Sequence, residues 1–408
     1  MTAGPPRERL LGRRLLRQED PRLVTGKGAY VTDVALPEML HMAVLRSPHA
    51  HALIAGIDID RARRVAGVVG VFTADHIRDV GPLPVLAHPP GQRQTDFPVL
   101  PVDRVRYVGQ PLAAVVAHTP YAAQDGVDAL DVTYHPLPAI ADVAQATAPG
   151  APKLYDDWPD NVVVSREIGS GDPDAVLAAT STVVGAHFTM PRQTAAPIEG
   201  RATCARFDAD ARELTVWASS QAPHLFRTVL AAVLGLDEEC IRVIVPDVGG
   251  GFGVKLHYYP EDVLVAVAAM RLRRPVKWVE TRTEHFAATV HAREQHVHAQ
   301  AAFDATGTLR ALRVRVQGDV GAHLHTKGAG PLFLGASVLP NLYAVRHFKA
   351  TLQGVVTNKV PFGAYRAFGM QQAAFVTERL MDMAAARLGI DPVEIRRRNY
   401  VAPTAFPY

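Results

Sequence analysis

The stretch Asp247 to Lys255 reads Asp-Val-Gly-Gly-Gly-Phe-Gly-Val-Lys, and it constrains this chain more than any other. Four of the five residues from Gly249 to Gly253 carry no side chain. An apolar run, Ile241 to Val245, leads in and reads as a buried strand. Tyr259-Pro260-Glu261-Asp262 leads out and reads as a helix start, with proline near the first helical position and acids in the first turn. A strand, a glycine loop and a helix set backbone N–H groups on a concave, electropositive spot. The missing side chains let a bulky anion approach the backbone. The same residues also suit a plain tight turn. Two phosphate motifs are excluded. A Walker A loop needs Gly-Lys followed by Ser or Thr, and Lys255 lies between Val254 and Leu256. A dinucleotide fingerprint counted from Gly249 needs glycine where Val254 stands.

A chain of 408 residues has room for roughly two or three domains at about 150 residues each. Its 43 basic and 40 acidic residues are well mixed, with no basic stripe interleaved with aromatics, which argues against nucleic acid as a partner. Cys204 and Cys240 are the only cysteines and neither sits in a CxxC, so the chain alone cannot hold an iron–sulfur cluster. No apolar run approaches the roughly 20 residues of a membrane span. Arg13-Arg14 resembles a twin-arginine signal, but Gln18-Glu19-Asp20-Pro21 follows where an apolar region belongs. The expected location is cytoplasmic.

The pattern predicts a mixed α/β fold. Residues 1–20 read as an Arg-rich arm, 21–146 as a first α/β domain, 147–160 as a Pro/Gly linker and 161–408 as a second domain. Strands are expected over 40–45, 68–72, 112–116, 130–134, 214–218, 241–245 and 276–279. A hairpin is expected over 295–303 and 309–317, about Asp304 to Gly307. Thr119-Pro120 opens a helix. Phe226, Val229, Leu230, Val233 and Leu234 mark another, stopped by Gly235. A third runs 371–388 to Gly389, and Asp391-Pro392-Val393-Glu394 opens a fourth as a capping box. Val80 to Val102, with six prolines, reads as an extended loop. His49 and His51, and His323 and His325, sit two apart on presumed strands; without further ligands they give no metal site.

Three loops could carry chemistry. They are Ser219 to Pro223, the glycine loop, and Gly363-Ala364-Tyr365-Arg366-Ala367-Phe368-Gly369-Met370-Gln371. Each leads into a helix, and such loops can share one rim in an α/β domain, which would bring Gln221, Phe252 and Arg366 together.

Several segments together resemble the molybdenum-binding large subunit of the xanthine dehydrogenase/aldehyde oxidase family, in its aerobic carbon-monoxide-dehydrogenase-like branch. They are Ser220 to His224, Gly249 to Gly253 with Lys255, Arg274-Pro275-Val276-Lys277-Trp278, and Ala364 to Gly369. Glu19 to Leu23, Arg46 to His51 and Tyr107 to Pro111 are similar to the family's α/β hammerhead domain. Pro197-Ile198-Glu199 resembles the start of its first molybdenum-cofactor-binding domain. The resemblance covers nearly the whole chain.

The resemblance implies a molybdopterin cofactor with molybdenum, expected as the cytosine dinucleotide. It implies hydroxylation of an aldehyde or N-heteroaromatic carbon with water-derived oxygen. Electrons would pass to a 2Fe-2S small subunit and an FAD medium subunit. The protein gives the metal no direct ligand. By position, Gln221 matches the glutamine whose amide donates to an oxo ligand, and Phe252 the residue whose backbone N–H reaches the same shell. Gly250, Gly251 and Gly253 serve close backbone approach. Arg366 matches a pocket arginine able to stabilise developing negative charge, with Ala367 beside it, and Phe368 an aromatic that stacks on ring substrates.

Three departures follow. Ala367 stands where carbon monoxide dehydrogenases carry a copper-bridging cysteine. Leu256 stands where purine-oxidising members have an acid. The family subunit continues into a second cofactor domain with a glutamate base, so 408 residues are expected to need a complementing C-terminal polypeptide. The rival expectation is a truncated paralogue without catalysis, acting in partner binding or cofactor maturation.

Overall fold

The computed structural model describes residues 10–408, so residues 1–9 of the expected arm lie outside the described part. A seven-stranded sheet runs in the order Ile241–Ile244, Glu213–Ala218, Ala202–Asp208, Val276–Val279, Leu40–Arg46, Pro111–Ala117, Val68–Phe72. Three of these strands precede the segment 147–160 and four follow it. The two sets join through a parallel pair, Leu40 with Val276 and His41 with Lys277. Lys277 Nζ reinforces the seam by donating to the carbonyls of Thr32 and Val34, both at 2.9 Å.

Pro111–Ala117 is buried along its whole length, as an apolar run inside a sheet should be. The helix Pro260–Leu272 packs on this sheet and is apolar on nearly every side, with Pro260 to Ala269 all buried. Burying one Val or Leu side chain contributes about 1.5–3 kcal/mol, so Val263, Leu264, Val265 and Val267 make this helix the centre of the main core. Its proline sits in the first turn, and Asp262 closes a capping box on the Tyr259 N–H at 2.9 Å.

Glu261 and Asp262 read from sequence as helix-start acids, yet both are buried. Glu261 bridges Arg46 at 2.7 Å and Arg201 at 3.1 Å. Arg201 also binds Glu280 at 2.7 Å and lies 3.7 Å over the Tyr259 ring. A buried charge persists only when paired in this way, and the network ties the strand Leu40–Arg46 to the helix Pro260–Leu272 and to Glu280, just past the strand Val276–Val279.

A second sheet orders Val162–Ser170, His347–Val356, Leu309–Gly321, Gln295–Phe303, Thr182–Met190. The expected hairpin pairs Gln295 with Gly318 through Phe303 with Leu309. One face packs under the helices Gly330–Ser337 and Met370–Leu388. A small third sheet joins Arg104–Val105, Ala52–Asp58 and Asp131–Pro136.

Two local readings are corrected. His323 and His325 lie in the turn after Leu309–Gly321, and His49 and His51 in the connection after Leu40–Arg46, so none is on a strand. Asp391 caps its helix by accepting from Val393 and Glu394 N–H, but Glu394 turns away to Arg398, so the capping box is half formed. The stretch 147–160 buries Leu154, Tyr155 and Trp158 in a core cluster shared with residues from 320 onward.

Candidate functional site

The glycine loop is pinned from below. Glu199 Oε2 accepts from Gly249 N–H at 2.7 Å, Ser219 Oγ at 2.8 Å and Lys255 Nζ at 2.8 Å. Lys255 is 1% exposed. Burial holds its ammonium below the usual lysine range, and Glu199 partly offsets this. The loop is held in front by the short helix Asp20–Val24: Arg22 pairs bidentately with Asp247 at 2.5 and 2.6 Å.

Gln221 reaches the loop from the end of its own strand. Gly253 N–H donates to Gln221 Oε1 at 2.9 Å, which leaves the amide NH₂ of Gln221 free. A Cβ on Gly251 would stand 2.6 Å from the Gln221 amide carbon. Gly253 has φ +105°, and a Cβ there would lie 2.8 Å from the Ala364 carbonyl oxygen. Gly253 therefore needs glycine for both its backbone and its contact, whereas a Cβ on Gly251 would only displace the Gln221 side chain. Gly250, at φ +102°, lies against Pro197 and the Phe252 ring. The backbone N–H groups of Gly250, Gly251 and Phe252 have no acceptor among the described residues.

The third loop closes on the second. Arg366 N–H donates to the Phe252 carbonyl at 2.8 Å. Ala364 N–H donates to Nε2 of the buried His257 at 2.8 Å. Burial pushes His257 down to about 3, so the ring stays neutral and keeps the lone pair this bond needs. Phe252 at φ +52°, Ala367 at +77° and Phe368 at +49° all hold left-handed backbone, which is uncommon outside glycine. Such strain gathers where a fold shapes a ligand site.

A cleft of about 720 Å³ opens here, lined among others by Phe252, Tyr365, Arg366, Ala367 and Arg293. Phe252 and Arg366 line it together; Gln221 does not line it and reaches the loop through Gly253. Phe368 does not line this cleft; its ring end lies 3.2 Å from where a Cβ of Gly330 would be. Sequence reading assigned no role to Glu199, Lys255 or Arg293. Lys255 was visible as the cation after the glycines. Nothing in the sequence marks Arg293, which the fold brings in from the segment before Gln295–Phe303.

Residues 154–400 match the molybdopterin cofactor-binding domain, and 25–138 the aldehyde oxidase and xanthine dehydrogenase a/b hammerhead domain. The chain belongs to the xanthine dehydrogenase/aldehyde oxidase family. It is 37% identical over 403 residues to the nicotine 6-hydroxylase large subunit of Paenarthrobacter nicotinovorans, covering 98% of this chain and 49% of that one. It is 37% identical to the carbon monoxide dehydrogenase large chain of Hydrogenophaga pseudoflava, covering 97% and 51%. Quinoline 2-oxidoreductase from Pseudomonas putida 86 superposes with a TM-score of 0.94 at 36% identity, covering 97% of this chain and 51% of that one. The chain thus spans about half the length of these relatives. The nicotinate dehydrogenase large molybdopterin subunit of Eubacterium barkeri differs: at 30% identity the match covers 96% of this chain and 89% of that one. This family member therefore has the expected hammerhead and first cofactor-binding folds. No helix of the described residues is long and apolar enough to cross a membrane.

Proposed function

We propose that this chain is the glycine-cradle half of a molybdenum hydroxylase large subunit that acts on an aldehyde or N-heteroaromatic carbon. One observation carries the reading. Three consecutive free N–H groups, Gly250 to Phe252, lie on the loop that Gln221 and the Arg366 backbone both bond, and Phe252 and Arg366 line one cleft. Donors without acceptors at a concave rim fit an anionic, oxygen-rich group.

The residues present fit a molybdopterin cofactor, here taken as the cytosine dinucleotide. When bound, that group supplies two-electron oxidation and a water-derived oxygen. The chain's own part is positioning. Gln221 NH₂ and Phe252 N–H donate toward the cofactor's oxygen shell. Gly250, Gly251 and Gly253 keep side chains out of its way. Arg366 places a fixed positive charge where a substrate carbonyl or ring nitrogen gathers negative charge. Phe368, whose ring packs toward Gly330 outside the cleft, backs the loop that carries Arg366. Fixed donors of this kind need no reorganisation during reaction, which is why they count.

The other half of such a large subunit, which this sequence does not span, completes the cofactor pocket and brings a proton-accepting base. 2Fe-2S and FAD subunits take the electrons, in the cytoplasm. The test is dye-linked oxidation of aldehydes and N-heteroaromatics by the native assembly. Turnover by the assembly that contains this chain is expected. No turnover by the assembly on either substrate class contradicts the proposal.

A further inference from the structure

The cleft at the glycine loop holds two arginines and no acid. Its lining residues are neutral apart from Arg293 and Arg366. The Arg366 side chain makes no hydrogen bond or ion pair among the described residues. Arg293 has no carboxylate partner either. Its guanidinium donates to the Arg366 carbonyl at 3.0 Å and lies 4.2 Å from the Tyr365 ring centre. The adjacent acid, Glu294, is already engaged, by Arg192 at 2.7 Å and Lys359 at 2.6 Å. Arg46, Arg192 and Arg201, whose side chains are largely buried, are by contrast paired with carboxylates.

Two further features mark Arg293. Its backbone sits at φ +76°, a strained conformation for a residue with a side chain. One guanidinium nitrogen, Nη1, is buried with no partner. Gln371, in the first turn of the 19-residue helix Met370–Leu388, lines the same cleft, so that helix's positive end adds to the potential.

We propose that Arg293 and Arg366 form an oxyanion clamp, with Arg293 as a ligand-binding residue of the cleft. Guanidinium groups suit carboxylate and phosphate because their planar donors match two oxygens at once. The inference rests on the function proposed above only for the source of the anion, which is a phosphate of the cofactor or a carboxylate of the substrate.

The experiment is calorimetric titration of the full chain, in the complex in which it is isolated and stripped of cofactor. The probes are inorganic pyrophosphate and benzoate. Saturable binding is expected. Arg293→Gln should weaken it by about tenfold to a hundredfold, the usual scale for a hydrogen bond to a charged group. Arg293→Lys, which keeps the charge and loses the fork, should fall between. Arg315→Gln, on the exposed face of the second sheet, should change nothing. Preference for pyrophosphate assigns the clamp to a phosphate, and preference for benzoate to a carboxylate. Equal binding by wild type and Arg293→Gln overturns the clamp, as does wild type that binds neither anion. If Arg293→Gln does not fold, unchanged binding in both Arg293→Lys and Arg366→Gln overturns it. Cofactor content measured on the same variants separates the two ideas. A chain without molybdenum or pterin that still binds anions through Arg293 sinks the functional reading alone. Full cofactor with unchanged anion binding in Arg293→Gln sinks the clamp alone.

Discussion

The Lys255 ammonium sits 2.8 Å from Glu199 Oε2, with both side chains buried at the entry to the glycine loop. The same carboxylate oxygen holds Gly249 N–H, so one ion pair fixes where the cradle starts. Removing one partner of a buried pair costs about 3–5 kcal/mol. Glu199→Gln should be the worse change, because it leaves a buried ammonium without a counter-charge. Lys255→Met leaves Glu199 its Ser219 and Gly249 donors and should cost less. Urea unfolding of the two variants checks the order. A Glu199→Gln protein as stable as wild type would detach this pair from the loop's stability.

The glycines of the cradle should separate by mechanism. A Cβ on Gly251 meets only the end of the flexible Gln221 side chain, so Gly251→Ala should change stability by less than about 1 kcal/mol. It should nonetheless push Gln221 off the Gly253 N–H, speed hydrogen exchange there and lower activity. Gly253→Ala meets backbone at a positive φ and should destabilise by more than that. Equal stability losses in the two variants would contradict this division.

Gln221→Ala and Arg366→Ala should lower kcat/KM of the assembled enzyme without unfolding it, since both side chains are exposed at the rim. Loss of one donor to a developing oxyanion costs about 2.7–4 kcal/mol in the best-studied case. Unchanged kcat/KM in either variant would remove that residue from the site.

Burial raises the Asp262 carboxyl to about 6, against an ordinary 3.8, although Thr203 and Tyr259 N–H both donate to it. Between those values the unfolded chain gives up its proton first. Stability from this group is therefore full below about pH 4 and falls as pH rises to about 6. At about 1.4 kcal/mol per pH unit the loss reaches about 3 kcal/mol. The stability of wild type relative to Asp262→Asn should shrink by up to that amount between pH 4 and 7. A difference that is flat or grows with pH would contradict it.

Ala367 offers no sulfur for copper, so the assembled enzyme should not oxidise carbon monoxide. A dye-linked assay under carbon monoxide checks this, and turnover with bound copper would overturn it.

Most of what positions the site was legible in the sequence. Ile241–Ile244 and the helix from Pro260 stand where the apolar run and the Pro-Glu-Asp start put them. Gly235 and Gly389 end their helices in left-handed backbone, as glycine there should. The strand His347–Val356 went unread although His347, Lys349, Thr351 and Gln353 alternate with buried Phe348, Ala350 and Leu352. Its pattern was present but sat between stronger loop signals. The seam between Leu40 and Val276 was not legible, because pairing across more than 200 residues leaves no local trace. Nor was Arg293, whose place depends on that tertiary folding and on a positive φ that its residue type disfavours.

The central claim is that the rim of Gly250 to Phe252, Gln221 and Arg366 holds a molybdopterin cofactor. Molybdenum and pterin content of the native complex, for wild type and for Gly253→Ala, tests it most directly. Stoichiometric metal and pterin in wild type, largely lost in the folded variant, is the expected result. A native complex without either, or a Gly253→Ala complex with a full complement of both, would contradict the account.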